Sequence, residues 1–444
     1  MESAYSVGQP IVALATPYGR AALAIIRISG DRSVALIKPF FSHEAKLTTS
    51  GQMVFGRLYD EHQILLDEVM IAPFFNGAGY TGEEAAEIYL HGNPIIAQNI
   101  IAFLCRHGFK AASPGAFTYR AFMLGKMDLA QAESVHEVIT AQTAQASHAA
   151  LQRLSGTLSR QLNDYYQQLI AHLAALEARL NYPEEESDFY EVPNFMQLLK
   201  ELKALLDSFK VSRILMEGAL VVVAGAPNVG KSSIFNRFSG QDRAIVSPQA
   251  GTTRDYIETT INLQGYPVRL VDTAGLRKSE DSIEQLGIAK SEQLMREADL
   301  ILYVVDASTH NFTEPMTWLY PEKTLAVANK IDLCPVKSIE LFVACSTVCE
   351  EGLNALIEAV CLALDPEAVA LRTQSSLLGS VRQYDHCFKA HQAVLFAHKH
   401  SAHLALDELA YHLRLAAQEL AILLGNEVEQ DAMNAMFSTF CLGK

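Results

Sequence analysis

Along residues 1–122 the apolar positions fall in short runs, among them Ala21–Ile28, Val69–Pro73 and Ala86–Leu90, separated by Gly, Pro and Asn clusters. This is the pattern of strands joined by turns. The stretch Ile11 to Ile28 is interrupted by Thr16-Pro17-Tyr18-Gly19-Arg20 and again by Arg27, so it predicts two strands and a turn. From about Asp128 the period changes. Leu129–Leu180 is rich in Ala, Gln and Leu, lacks proline and repeats its apolar residues three and four apart. That predicts long helix, weakened at Gly156 and stopped at Asn181-Tyr182-Pro183. The acidic run Pro183–Glu191 reads as a loop, and a second helix is predicted from Phe195 to Phe209. Strand and helix then alternate. The predicted strands are Ala219–Ala224, Val268–Asp272, Leu300–Asp306, Leu325–Asn329 and Leu341–Ala344. Most are continuous apolar runs, as a parallel sheet covered on both faces requires. Helical periods resume through Ser380–Lys399 and Leu404–Leu424.

This order predicts an α/β and α multi-domain chain. An α+β domain spans 1–122, a helical domain is split into 123–215 and 368–444, and an α/β domain with a mostly parallel sheet, 216–367, is inserted between the halves. With 444 residues the chain exceeds a single core, since domains run roughly 100–200 residues. No apolar run reaches the roughly 18–20 residues that span a bilayer, and no basic segment precedes an apolar stretch at the amino terminus. A cytoplasmic protein without membrane contact is expected. Seven cysteines, none spaced as CxxC, predict reduced thiols in preference to disulfides or zinc. The 35 basic against 50 acidic residues leave a formal charge of −15. Nucleic-acid affinity draws on Lys and Arg neutralising phosphates, so any RNA would be held largely by a partner.

The candidate chemistry lies in the alternating region. Gly225-Ala226-Pro227-Asn228-Val229-Gly230-Lys231-Ser232, followed by Ser233, fits GxxxxGK[ST] directly after an apolar strand. Its glycines let backbone N–H groups wrap phosphates at a helix N-terminus. Lys231 would reach the β- and γ-phosphates and Ser232 would ligate Mg²⁺. Asp272-Thr273-Ala274-Gly275 closes another apolar strand as a DxxG segment, with Asp272 behind the Mg²⁺ and the Gly275 N–H toward the γ-phosphate. Asn329-Lys330-Ile331-Asp332 ends a third. The Asp332 carboxylate can accept from N1–H and the 2-amino group of guanine, donors that adenine lacks. Ser346-Thr347-Val348 would complete the base pocket. A glycine turn mimics the first motif easily; three motifs in order, each at a strand end, point to a GTPase.

In the loop Ser247-Pro248-Gln249-Ala250-Gly251-Thr252-Thr253-Arg254-Asp255, Thr253 is the candidate Mg²⁺ ligand and catalytic switch residue. Arg254 is either a cis arginine finger or a salt-bridge partner of Asp255 or Glu258. Leu276 follows Gly275 where Ras-like enzymes hold a water-orienting glutamine. Glu280, Asp281 and Glu284 are the candidates to replace it.

The whole chain resembles the MnmE (TrmE) family within the translation-factor-related GTPases. The resemblance rests most on segments outside the GTPase motifs. These are Ala15-Thr16-Pro17, Ile26-Arg27-Ile28-Ser29-Gly30, Tyr80-Thr81-Gly82-Glu83, Leu90-His91-Gly92, Pro114-Gly115-Ala116-Phe117-Thr118, Arg120-Ala121-Phe122, Asp128-Leu129-Ala130-Gln131-Ala132-Glu133, Pro183-Glu184-Glu185-Glu186 and the terminal Phe440-Cys441-Leu442-Gly443-Lys444. It implies a P-loop GTPase domain inserted into a helical domain and preceded by a folate-binding domain that dimerises. It further implies tRNA wobble-uridine modification at carbon 5, with 5,10-methylene- or 5-formyl-tetrahydrofolate as one-carbon donor. The implied partner is the flavoprotein MnmG, joining the homodimer in an α2β2 heterotetramer.

Hydrolysis in the family depends on K⁺, and the resemblance assigns Asn228, Ser247, Gln249 and Thr252 to that ion. It makes Glu284 the catalytic, water-ordering residue, places Arg27, Glu87, Lys126 and Lys444 at folate, and marks Cys441 as functional. Departures occur at Ala21-Ala22, Asn93 and Ala116 in the folate domain, and at Ser247, Gln249, Thr347 and Glu350 in the GTPase domain. Two other readings are a ribosome-assembly GTPase and a folate-binding scaffold with a regulatory GTPase switch.

Overall fold

The first apolar runs pair as the alternation demands. Strands β1 (Ile11–Leu14) and β2 (Leu23–Ser29) lie antiparallel, Ile11 opposite Ser29 and Leu14 opposite Ile26. With β3 (Val54–Tyr59), β4 (Leu65–Phe74), β5 (Ala85–His91) and β6 (Lys110–Ala111) they form a six-stranded sheet in the order β3-β4-β5-β2-β1-β6. Helix α1 (Pro94–Arg106) begins where the Asn93 side chain accepts from the Ile95 N–H and Pro94 occupies the first turn. It buries Ala97, Ile100, Phe103 and Leu104 in the same core as Ile26, Ile28, Ile71 and Ile88 of the sheet. Helix α2 (Ala116–Met123) belongs to a second core, shared with Tyr5, Leu129, Phe437 and Phe440. The computed structural model describes residues 5–181, 195–240, 257–272, 284–309, 320–333, 341–365, 377–401, 404–426, 428 and 430–444.

The predicted helix over Leu129–Leu180 is three helices: α3 (Leu129–Thr140), α4 (Ala144–Leu154) and α5 (Thr157–Asn181). Thr143 is extended and its side chain accepts from the Ala146 N–H, so it starts a new helix in place of continuing the old one. Gly156, at φ 81°, makes the second break. Helix α6 (Met196–Glu217) runs past its predicted end at Phe209, because Val211, Ile214 and Leu215 extend the apolar stripe into the core of the following sheet. Gly218, at φ 84°, ends it.

That sheet has the order β12-β11-β10-β7-β9-β8. It comprises β7 (Ala219–Gly225), β8 (Ile257–Leu263), β9 (Tyr266–Asp272), β10 (Leu300–Asp306), β11 (Thr324–Asn329) and β12 (Val343–Ala344). All neighbours are parallel except β8 and β9, whose two-residue turn Gln264-Gly265 has φ of 50° and 98°. Positive φ at both positions matches the twist of a tight hairpin. Helices α7 (Lys231–Phe238), α8 (Glu284–Glu297) and α9 (Glu350–Leu364) accompany this sheet in sequence. Further helices are α10 (Val381–His400), α11 (Leu406–Leu424) and α12 (Gln430–Ser438). By packing, the chain divides into two units, Met1–His136 with Leu162–Glu185 and Ala405–Lys444, and Glu137–Gln161 with Glu186–Leu404. No helix among the described residues is long and apolar enough to cross a membrane.

Candidate functional site

Strand β7 is buried along its apolar run, which delivers Gly225 to the carboxyl edge of the sheet, where open α/β folds bind ligands. A Cβ on Gly225 (φ 139°) would stand 2.2 Å from the Val304 carbonyl oxygen, and one on Gly230 (φ 99°) 2.2 Å from Asn329 Nδ2. The loop is therefore restricted to glycine twice, by conformation and by contact. Asn228, between them, is also left-handed at φ 65°. Helix α7 opens at Lys231, so its N-terminal amides adjoin the loop, a setting that favours anions. The Lys231 ammonium donates to the carbonyls of Gly225 at 3.0 Å and Ala226 at 2.7 Å. The exposed Ser232 hydroxyl donates to Oδ2 of buried Asp272 at 2.8 Å. The hydroxyl and carboxylate assigned to Mg²⁺ are thus neighbours, one from the first turn of α7 and one from the end of β9, and both are the hard oxygen donors that ion prefers.

On the base side, buried Asn329 donates from Nδ2 to the Val229 carbonyl at 2.9 Å, while its buried Oδ1 accepts from no group among the described residues. An orphaned acceptor there fits a ligand that brings its own donor. Ser346, buried, donates to Asp332 Oδ1 at 2.6 Å and accepts from the Val348 N–H at 3.2 Å. Asp332 itself is exposed. The penalty by which a buried, unpaired carboxylate would reject adenine therefore does not exist in the protein alone. It would have to come from the base covering Asp332. Cys345, just before Ser346, is buried and its thiol is pushed up to about 11 by burial, so it is an inert packing group.

Ser247, Pro248, Gln249, Ala250, Gly251, Thr252, Thr253, Arg254 and Asp255 lie outside the described residues, as do Thr273, Ala274, Gly275, Leu276, Glu280 and Asp281. Glu284 is the first residue of α8. Glu258, offered as a partner for Arg254, pairs with Arg269 at 2.9 Å.

A second constellation lies in the first sheet. Arg27 on β2 and Glu87 on β5 are cross-strand partners, joined at 2.7 Å through Arg27 Nη2. The other Glu87 oxygen accepts from the Tyr89 hydroxyl at 2.9 Å. The guanidinium lies 5.1 Å from the Tyr80 ring centroid and 5.8 Å from that of Phe117, and Lys444 Nζ is 5.2 Å from Tyr80. The carboxyl terminus is held there: Arg27 donates to the Gly443 carbonyl at 3.0 Å, Gly115 N–H to that of Cys441 at 3.3 Å and Phe117 N–H to that of Lys444 at 3.3 Å. Burial, then the Arg27 charge, lowers the Lys444 ammonium below the usual lysine range.

Three of the four predicted folate residues thus meet. Lys126 instead donates to the Gly77 carbonyl at 2.8 Å and packs its stem toward Gly82. Tyr80 and Phe117, which lie in segments resembling the family, and Tyr89 line the site without having been assigned to folate; an aromatic beside a motif is an ordinary core residue until the fold places it. Two of the departures have structural explanations. Asn93 caps α1, and Ala116 is a buried core residue at the start of α2.

Two family models match the chain, one described as the MnmE helical domain over residues 129–441 and one as the GTP-binding protein TrmE N-terminus over residues 10–126. A tRNA modification GTPase MnmE from Aquifex aeolicus is 38% identical over 451 residues, 98% of this chain and 100% of that protein. A counterpart from Thermus thermophilus is 36% identical over 439 residues, 98% of this chain and 99% of that protein. One from Borreliella afzelii is 34% identical over the full length of both. Among solved structures, Era in complex with MgGDPNP and 16S ribosomal RNA nucleotides shares 27% identity across 33% of this chain and 55% of its own, with a TM-score of 0.24. The G domain of the T. maritima FeoB iron transporter gives 27%, 33% and 98%, again with a TM-score of 0.24.

Proposed function

Since the chain belongs to the MnmE family of tRNA modification GTPases, we propose that its GTP hydrolysis is potassium-dependent and serves carbon-5 aminomethylation or carboxymethylaminomethylation of wobble uridine. The one-carbon unit comes from a tetrahydrofolate and the partner is a flavoprotein, MnmG, on a homodimer of this chain. The observation that carries the reading is the meeting of Arg27, Glu87 and Lys444 beside Tyr80 and Phe117. Two cations suit an anionic glutamate tail, aromatic faces suit a flat heterocycle, and Glu87 suits its amino donors. With a formal charge of −15, the chain leaves most of the grip on tRNA phosphates to its partner.

In the GTPase domain, Lys231 exchanges its loop carbonyls for phosphate oxygens, and the glycine-bounded loop presents its N–H groups to them. Ser232 and Thr253, with Asp272 behind, would hold Mg²⁺, which supplies charge neutralisation at the β- and γ-phosphates. Asn228, Ser247, Gln249 and Thr252 would hold K⁺, which supplies positive charge where other GTPases use an arginine. Asp332 reads the base, and Glu284 orients the attacking water.

Nucleoside analysis tests the reading. Cells lacking the gene should lose the wobble-uridine modification, the wild-type gene should restore it, and Glu87→Gln should restore GTPase activity without the modification. Normal tRNA in the deletion strain refutes the assignment.

The cation dependence has its own test. Hydrolysis should be about 10-fold or more faster in KCl than in NaCl at equal ionic strength. Asn228→Ala should abolish most of that difference. Asn228→Gly, which accepts the left-handed φ of 65° without strain, should do the same and so separate loss of a ligand from backbone strain. Equal rates in the two salts would remove potassium from the mechanism.

A further inference from the structure

One charged group beside the nucleotide site belongs to none of the GTPase motifs. Asp306 ends β10, directly across from Asn329 at the end of β11. Its Oδ2 accepts from the Lys330 ammonium at 2.6 Å, and Lys330 also donates to the Asn228 carbonyl of the phosphate loop at 2.8 Å. The other oxygen, Oδ1, accepts from both the N–H of Ser308 at 3.0 Å and its hydroxyl at 2.6 Å. With both oxygens engaged the carboxylate is fixed in rotation. The Lys330 hydrogen bond first, then Ser308, lowers its pKa to about 2.

The backbone gives an independent sign of what this pair does. Lys330 and Asn228 are both left-handed, each at φ 65°. A lysine in that region is strained by roughly 1–2 kcal/mol and persists only where its surroundings over-determine it. The Lys330 ammonium joins these two left-handed residues. Asn329, one residue earlier, makes the parallel contact to Val229 at 2.9 Å, and its own carbonyl accepts from the Ala307 N–H at 2.8 Å. Base-reading strand, phosphate loop and the end of β10 are thus stitched together at adjacent residues.

We propose that Asp306 is a positioning residue for guanine-nucleotide binding: it holds Lys330 in its left-handed conformation and, through Lys330, locks the phosphate loop at Asn228 to the base-reading segment. The pair is partly exposed, with side chains 31% and 14% accessible, so its weight lies in geometry and not in net stability. Asp306 is engaged by Lys330 and Ser308 and acts only through Lys330, so affinity should change and the chemical step should not.

The test measures KM, kcat, release of a fluorescent GDP analogue and the melting temperature of nucleotide-free protein, on the full chain. For Asp306→Asn and Asp306→Ala, KM and GDP release should each rise about 10-fold with kcat within about two-fold of wild type. Asp306→Glu, which keeps the charge, should recover most of the affinity. In a Lys330→Ala background, Asp306→Asn should add nothing further, because its partner is already gone. An unchanged KM with a lowered melting temperature would make the pair a fold tie and overturn the proposal. Additive losses in the double variant, or a fall in kcat at unchanged KM, would overturn it equally.

Discussion

Glu284→Ala is expected to slow single-turnover GTP hydrolysis by roughly 10²–10⁴-fold while GTP affinity stays within about a few-fold of wild type. Leu276 stands where a glutamine orients the attacking water in Ras-like enzymes, and a leucine cannot hydrogen-bond water. Another group must then hold the nucleophile in line with the γ-phosphate. Glu284 heads helix α8, beyond the DxxG segment. A residue that orients the attacking water acts in the transition state and contributes little to ground-state nucleotide binding. Its loss should therefore act on the chemical step and leave nucleotide binding largely intact. Glu280→Ala and Asp281→Ala are the controls and should be mild. A normal rate in Glu284→Ala together with a dead neighbour would transfer the role to that neighbour.

Asp332→Asn should weaken GTP binding by about 2–4 kcal/mol and improve binding of XTP, whose extra carbonyl suits the amide donor. The geometry favours the lower end of that range. Asp332 is exposed, and Ser346 already donates to one of its oxygens at 2.6 Å. Asp332 becomes buried only when a base covers it, so discrimination should rest chiefly on the two hydrogen bonds formed with guanine and less on a burial penalty. Competition binding of GTP and XTP measures the change. Unaltered GTP affinity would show that another group reads the base.

Much of the molecule was legible because it is local. Leu300–Asp306 forms its predicted strand residue for residue, since a parallel core strand is a continuous apolar run that few other structures accept. The glycines of 225–230, an apolar strand before them and a helix after them identify a phosphate loop within one short window. The misread elements are those in which a local signal is weak or shared. Strand β8 reads IETTINL, whose alternation with threonine and asparagine resembles a loop until Ile261 and Leu263 are seen in the core. The helical period of 129–180 is real, but period alone does not show that Thr143 caps a new helix.

What residues do locally, by propensity, capping, glycine conformation and apolar period, was therefore determined by the sequence itself. Tertiary structure alone decided which distant groups meet. Arg27 reaches the Gly443 carbonyl across 416 positions, turning the terminal residues into part of the first sheet's site. Asp306, an ordinary strand-ending aspartate in the sequence, gains a role only because parallel pairing sets it opposite Asn329 and within 2.6 Å of Lys330. Such meetings depend on how buried faces pack at long sequence separation, and no residue carries that information in its own neighbourhood.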